Sequence, residues 1–308
     1  MSTPDSARPL AAFSDDLADI VERTGAGVVA LQARRSYPAS GVILQPGVVV
    51  TAAHTLRREE GIVALLPDGT TTAATLVAVD PGTDIAVLRL ESTQGTPVQF
   101  GDAGSVRPGN FVVAVSRGTD GSLAASAGVV ARTGGEWRTW RGGQMDRRIQ
   151  LDGGLWGGFS GGPVVDARGA VIGIGTSALS RGRAVVIPGS VLTRVAEQLL
   201  SRGRVSHAYL GAAVQPVEVP DTLRTRLGLA DSHGLIVIST VPQGPADAAG
   251  ITLGDTLLTI DDKSLADIDD LKAALSADRI GKPVKVSLLR GGQVAAVDVV
   301  VGERPAGR

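Results

Sequence analysis

The sequence predicts a mainly β protein of two domains, and three observations predict it. The chain has 308 residues, more than one hydrophobic core usually supports. With 41 glycines and 3% aromatic residues, its core must come from Val, Ile, Leu and Ala arranged around many turns. From Val28 onward, short Val- and Ile-rich runs alternate with Gly and Pro, the rhythm of strands and turns.

Residues 1–13 are polar and contain Pro, and read as a loose N-terminal segment. Ser14 to Thr24 spaces Leu17, Ile20 and Val21 as a short helix would. Strands follow over Val28–Gln32, Gly41–Leu44, Val48–Thr51, Ile62–Leu66, Leu76–Val79, Ala86–Leu90, Phe111–Val115 and Val171–Ile174. After Pro188 a helix is expected with Ser190 as N-cap, an apolar stripe of Val191, Leu192, Val195, Ala196, Leu199 and Leu200, and Gly203 as its stop. The domain joint falls just beyond, which gives a first domain over 14–203 and a smaller α+β domain over 207–303. In the latter, strands are expected over Leu235–Ser239, Thr256–Ile260, Val284–Leu289 and Val294–Val301. One helix begins near Asp267, buries Ile268, Leu271, Ala274 and Leu275, and ends before Gly281.

Composition narrows the function. A formal charge of −1 gives no attraction to nucleic acid or to an acidic membrane surface. The absence of Cys excludes disulfides and thiol catalysis and fits the cytoplasm or a periplasm alike. No stretch approaches the roughly 18 uninterrupted apolar residues of a membrane span, and Met1 to Asp16 lacks a basic start followed by an apolar run. The expectation is a cytoplasmic protein, with the periplasm as the alternative if the chain is trimmed.

Three segments carry chemistry: Thr51-Ala52-Ala53-His54, Asp84-Ile85-Ala86-Val87-Leu88 and Gly158-Phe159-Ser160-Gly161-Gly162-Pro163. A serine hydroxyl needs a base within hydrogen-bond reach, and the base needs a buried carboxylate to fix its tautomer. His54, Asp84 and Ser160 supply these parts in that order. The Gly-x-Ser-x-Gly pattern also fits a nucleophile elbow, but an elbow needs a helix directly after the serine. Here Gly161, Gly162 and Pro163 stop a helix, and Val164 to Ile172 read as strand, turn and strand. The glycines permit a tight turn in which the N–H groups of Gly158 and Ser160 converge on an oxyanion. His207 and His233 stand outside any such pattern.

From about Leu17 to Val301 the chain resembles the HtrA/DegP family of trypsin-like serine proteases with a C-terminal PDZ domain. The segment Gln150 to Gly162 tracks the family's approach to its nucleophile, and Ala184-Val185-Val186-Ile187-Pro188 tracks a family strand. The resemblance implies two six-stranded β-barrels packed face to face, with His54 and Asp84 from the first and Ser160 from the second. It implies Ser160 as nucleophile, His54 as general base and then acid, Asp84 as orienter, and Gly158 and Ser160 as the oxyanion hole. It also implies a specificity pocket around Gly154, Leu155 and Val185 that takes a small or aliphatic side chain.

Phe159 stands where the family usually has Asn, which argues against zymogen activation through an Asp at that position. Gly153, Gly154, Trp156 and Gly157 make the preceding loop flexible. Tyr209-Leu210-Gly211-Ala212-Ala213-Val214 resembles a PDZ carboxylate-binding loop. It implies N–H groups of Leu210, Gly211 and Ala212 on a peptide's terminal carboxylate, pairing along the strand from Ala213, and a groove closed by the helix bearing Ile268 and Leu271. Such binding would bias the Gly153 to Gly157 loop if the peptide favoured one of its states.

The expected function is a quality-control serine endopeptidase acting on exposed, partly unfolded polypeptide. No metal or organic cofactor is expected. The family's homotrimer would use Phe13 and Leu17. The rival reading is a catalytically idle chaperone or peptide-binding scaffold on the same fold.

Overall fold

The computed structural model describes residues 9–33, 38–153, 155, 157–180, 183–206, 208–229, 231–276 and 279–304. Gly154, Trp156 and His207 therefore lie outside the described residues. The chain divides into two compact units, Met1–Val205 and Ser206–Arg308.

The first unit opens with helix α1 (Pro9–Gly25), which begins five residues before the Ser14 expected from its apolar spacing. Pro9 explains the longer helix: a proline at the first helical position needs no N–H partner and already has helical φ. Six strands then close a barrel: β1 (Val28–Gln32), β2 (Ala39–Gln45), β3 (Val48–Ala52), β4 (Ile62–Leu65), β5 (Thr71–Asp80) and β6 (Ile85–Leu90). Their order around it is β1-β2-β3-β6-β5-β4.

Next come β7 (Phe111–Arg117), β8 (Leu123–Gly134), the short pair β9 (Trp137–Arg138) and β10 (Gln144–Met145), then β11 (Arg148–Leu151), β12 (Pro163–Asp166), β13 (Val171–Thr176) and β14 (Val185–Pro188). Six of these close a second barrel with the same connectivity, β7-β8-β11-β14-β13-β12.

Strands buried on both faces read as continuous apolar runs, and Val48-Val49-Val50 shows why. Val49 enters the first barrel's interior with Leu31, Ile43, Ile62 and Leu88. Val48 and Val50 face outward into a layer with Ile174, Val185 and Ile187 of the second barrel. The two barrels thus share one apolar layer, and helix α2 (Gly189–Arg202) seals it with Val191, Leu192, Val195, Ala196 and Leu199, all with no exposed surface. Each such Val or Leu side chain contributes about 1.5–3 kcal/mol relative to exposure.

Ser190 is not the cap of α2. The chain passes from β14 straight into the helix with Pro188 at the N-cap, and Gly189 lies so close to Phe100 that a Cβ there would be 2.5 Å from its ring. The helix ends as expected, with Gly203 left-handed at φ +70°. Helix α1 lies on the outer face of β7, β8 and β12, where Ile20 packs with Val113, Val165 and Val171, and Phe13 meets Phe111 edge to face at 5.2 Å.

The second unit contains β15 (Ala208–Tyr209), β16 (Ala212–Glu218), α3 (Asp221–Leu227), β17 (His233–Thr240), α4 (Pro245–Ala248), β18 (Thr256–Ile260), β19 (Lys263–Ser264), α5 (Ile268–Ala274), β20 (Pro283–Arg290), β21 (Gln293–Val300) and β22 (Gly302–Glu303). Its main sheet runs β16-β17-β18-β20-β21, with β19 beside β18. Asp267 caps α5 through a capping box with Asp270.

Asp255 ties this unit together. Its carboxylate is 2% exposed and accepts Arg290 Nε and Nη2 at 2.8 and 2.6 Å and the Thr252 N–H at 2.7 Å. The Arg290 hydrogen bonds, with help from Thr252, hold the carboxyl below its ordinary 3.8 despite burial. A depressed folded value means that the stabilisation is complete above 3.8 and drains away as pH falls through the lower folded value. The second unit of wild type should therefore lose stability below about pH 4 more steeply than an Asp255→Asn chain, as followed by thermal melts between pH 2 and 5. Parallel curves would remove this role for Asp255.

Candidate active site

His54 follows β3 in a single 3₁₀ turn, Ala53–Thr55, and Asp84 precedes β6, the strand paired with β3. Pairing Ala52 with Ile85 brings the two together. The Ala53 N–H donates to the Asp84 carbonyl at 2.8 Å, and the His54 N–H donates to Asp84 Oδ1 at 2.8 Å. His54 Nδ1 lies 2.8 Å from Asp84 Oδ2, which also accepts the Thr176 hydroxyl at 2.5 Å.

Asp84 has no exposed surface, whereas the His54 side chain keeps 24%. A carboxylate can only accept, so this arrangement places the imidazole proton on Nδ1 and leaves Nε2 as the acceptor. That is the tautomer a general base requires.

Local sequence explains the pose. The turn before Asp84 is capped by another residue: Asp80 accepts the N–H of Gly82 and both the N–H and hydroxyl of Thr83, at 3.2, 3.1 and 2.6 Å. Asp84 itself is left-handed at φ +59°, a region Asp tolerates better than most residues, and its carboxylate is turned toward His54. The Thr139 hydroxyl, in the link between β9 and β10, donates to the Gly82 carbonyl at 2.7 Å and braces the turn.

Ser160 sits between β11 and β12, 9% exposed. The Gly162 N–H donates to the Phe159 carbonyl at 3.0 Å, the Gly161 N–H to the Gly175 carbonyl at 2.9 Å, and the Gly175 N–H to the Gly162 carbonyl at 2.9 Å. In a trans peptide the C=O and N–H point opposite ways, so holding the Phe159 carbonyl also fixes the direction of the Ser160 N–H. Gly161, at φ +87°, lies where a Cβ would come 2.2 Å from the Ser40 carbonyl and 2.3 Å from the Thr51 hydroxyl. Only glycine lets the serine turn approach the end of β3, from which His54 follows.

Gly158 adopts φ +99°, and its carbonyl accepts the Ser40 hydroxyl at 2.8 Å. Phe159 is 8% exposed and fills the second barrel's interior with Val112, Val130, Ile149, Val164 and Ile172, which accounts physically for an aromatic at this position.

The expected specificity residues separate. Leu155 is half-buried, with its side chain against Gly175. Val185, expected in the pocket, is 1% exposed and belongs to the apolar layer between the barrels, because its strand is covered there by α2. Thr176 and Ser40 were not legible as site residues. Their one signal is a small polar side chain inside an apolar strand, which here marks zero exposure.

In the second unit Leu210 is buried, and its carbonyl accepts the Ala246 N–H at 2.7 Å. Gly211 is left-handed at φ +77°, and its carbonyl accepts the Val241 N–H at 2.8 Å. Ala212 and Ala213 begin β16, which ends the sheet path and has α5 beside it. On α5 Leu271 is buried, but Ile268 is 39% exposed, contrary to the expectation that it packs inside. As the first residue of the helix it extends beyond the apolar stripe that Leu271 and Ala274 bury.

Among the described residues no cluster of three or more His, Asp or Glu side chains could hold a metal ion, and no helix is long and apolar enough to cross a membrane.

Residues 39–174 match the trypsin-like peptidase domain and residues 208–301 the PDZ domain. A probable periplasmic serine endoprotease, DegP-like, of Brucella suis biovar 1 (strain 1330) is 33% identical over 271 residues, covering 86% of this chain and 52% of the relative. Its counterpart in Marinomonas sp. (strain MWYL1) is 31% identical over 280 residues, 89% of this chain and 59% of the relative. The chain thus spans about half the length of the curated relatives it matches.

Among solved structures, the HtrA-type protease AlgW with decapeptide superimposes with a TM-score of 0.76 at 27% identity, over 94% of this chain and 99% of that one. The serine endoprotease from Yersinia pestis gives 0.73 at 27%, over 93% and 97%. The relatives' periplasmic names overturn the cytoplasmic expectation, which had rested on the composition of the first residues and on a Cys-free chain that suits both compartments. Two barrels of one connectivity, a buried carboxylate behind an imidazole, a glycine-lined serine turn and a following PDZ unit agree with these matches: the chain carries a trypsin-like peptidase domain followed by a PDZ domain and is similar in both to the HtrA/DegP-like serine proteases.

Proposed function

We propose that the chain is a serine endopeptidase that cleaves exposed or partly unfolded polypeptide in the periplasm. In this reading His54 Nε2 takes the Ser160 hydroxyl proton as Oγ attacks the scissile carbonyl. The N–H groups of Gly158 and Ser160 receive the negative oxygen, and the imidazolium returns its proton to the leaving amine. Water then enters by the same route: His54 takes its proton, the hydroxide attacks the acyl carbonyl, and Ser160 regains its own proton as the product acid departs. Asp84 holds the imidazole by Nδ1 and stabilises its charged form. The observation that carries the reading is the fully buried Asp84 carboxylate accepting His54 N–H, His54 Nδ1–H and the Thr176 hydroxyl together.

Apolar Leu155 supports a preference for Val, Ala, Leu or Ile before the scissile bond, since a charged side chain there would lack a partner. Edge strand β16 supports peptide addition from Ala213, with the terminal carboxylate on the N–H groups of Leu210, Gly211 and Ala212 and the exposed Ile268 facing the added residues. The exposed Leu10 and Phe13 of α1 support assembly as a homotrimer through that helix.

A casein digest of wild type beside Ser160→Ala, with product termini sequenced, tests the reading. New termini after small or aliphatic residues are expected from wild type alone. Cleavage after Lys or Arg, or equal digestion by both chains, would defeat it.

A further inference from the structure

We infer that Ser40, on β2 of the first barrel, is a positioning residue for the oxyanion site: its hydroxyl pins the peptide between Gly158 and Phe159. The inference rests on the endopeptidase reading. Ser40 has no exposed surface, and its hydroxyl oxygen lies 3.2 Å from the Arg117 N–H and 2.8 Å from the Gly158 carbonyl. An amide N–H can only donate and a carbonyl can only accept, so the one hydroxyl proton has one place to go. It points at Gly158, and the rotor has no alternative partner in this pair.

Both ends of the pin are held. The Ser40 carbonyl accepts the Thr51 hydroxyl at 2.6 Å, which fixes the strand from which the side chain projects. Arg117, which supplies the N–H, is buried and spends its guanidinium on three carbonyls, Val28, Gly121 and Gly25, at 2.7, 2.8 and 2.7 Å. On the other side, the pinned peptide lies between the two peptide units whose N–H groups belong to Gly158 and Ser160. The Ser160 unit is already fixed through the Phe159 carbonyl. The Gly158 unit follows Gly157, and Gly158 has no side chain to restrict it at φ +99°. Ser40 therefore supplies the restraint that these glycines do not.

Loss of the hydroxyl leaves the Gly158 carbonyl without this donor and frees the peptide to rotate, while the triad contacts of His54 and Asp84 do not involve Ser40. A donor displaced by about 1 Å can cost about 10²-fold in rate. The test uses the full chain with Ser40→Ala and with Ser40→Cys, whose slightly larger thiol leaves no void but donates weakly. Three quantities are compared with wild type: kcat and KM on a peptide amide, affinity for a peptide boronate that becomes tetrahedral on Ser160, and melting temperature.

The expected result is a kcat about 10²-fold lower in Ser40→Ala and reduced in Ser40→Cys, with KM within about twofold. Boronate affinity should fall in parallel with kcat. A purely structural Ser40 would lower the melting temperature yet leave kcat and boronate affinity within about twofold of wild type, and that result overturns the inference. A wild-type chain without turnover removes the endopeptidase reading and this inference with it, which separates the two failures.

Discussion

Replacing Ser160 by Ala lowers kcat on the order of 10⁶-fold, about 8 kcal/mol of barrier, with KM and melting temperature almost unchanged. The asymmetry follows from how the turn is built. None of the bonds that shape it uses the Ser160 side chain: Gly162 N–H to the Phe159 carbonyl, Gly161 N–H to the Gly175 carbonyl, Gly175 N–H to the Gly162 carbonyl and the Ser40 hydroxyl to the Gly158 carbonyl. The Ser160 oxygen carries none of these, so deleting one atom at a 9% exposed position removes the nucleophile and leaves the fold. Progress curves on a peptide amide beside a thermal melt check it. Residual turnover above about 1% of wild type would mean that another group does the chemistry.

Asp84→Asn should cost about 10⁴-fold in kcat, about 5 kcal/mol, again with the fold retained. Asn is the substitute to choose because it is among the few residues at ease at φ +59°, where Ala would be strained. It also keeps an acceptor for the His54 N–H. Its amide group, however, would put a donor where Asp84 Oδ2 now accepts both His54 Nδ1–H and the Thr176 hydroxyl. The ring answers by carrying its proton on Nε2, and a protonated Nε2 cannot take the serine's proton. Steady-state kinetics measure the loss of rate, and the ¹⁵N shifts of the imidazole ring measure the change of tautomer. A mutant retaining a tenth of wild-type kcat, or an unchanged tautomer, would show that Asp84 is not the orienter.

Much of this arrangement was legible in the chain because it depends on short-range rules. Strands β1 and β18 match the expected runs to the residue, since Val28–Gln32 and Thr256–Ile260 are mainly apolar between clear breaks. His54, Asp84 and the Gly158 to Gly162 turn could be read because their chemistry demands particular neighbours. What could not be read depends on distant packing. Strand β8 escaped notice because Leu123–Gly134 is rich in Ala, Ser and Gly, and only pairing with β7 and β11 makes it a strand. Thr176 and Ser40 lie 92 and 118 residues from the partners they hold, so no local pattern could mark them. Helical spacing puts Ile268 in the core, but spacing does not tell which end of a stripe stays covered.

Phe159 shows both sides of the matter. Its difference from the family's usual Asn was visible in the sequence, whereas its place inside the second barrel was not.

Reaction of the native chain with a fluorophosphonate, followed by peptide mapping, reads out whether His54 and Asp84 activate Ser160. The reagent requires a hydroxyl activated by a base and donors ready for its oxygen. One stoichiometric adduct is expected, on Ser160, formed by wild type and absent from Asp84→Asn on the same timescale. A folded wild-type chain that stays unlabelled, or an adduct on another residue, would contradict it.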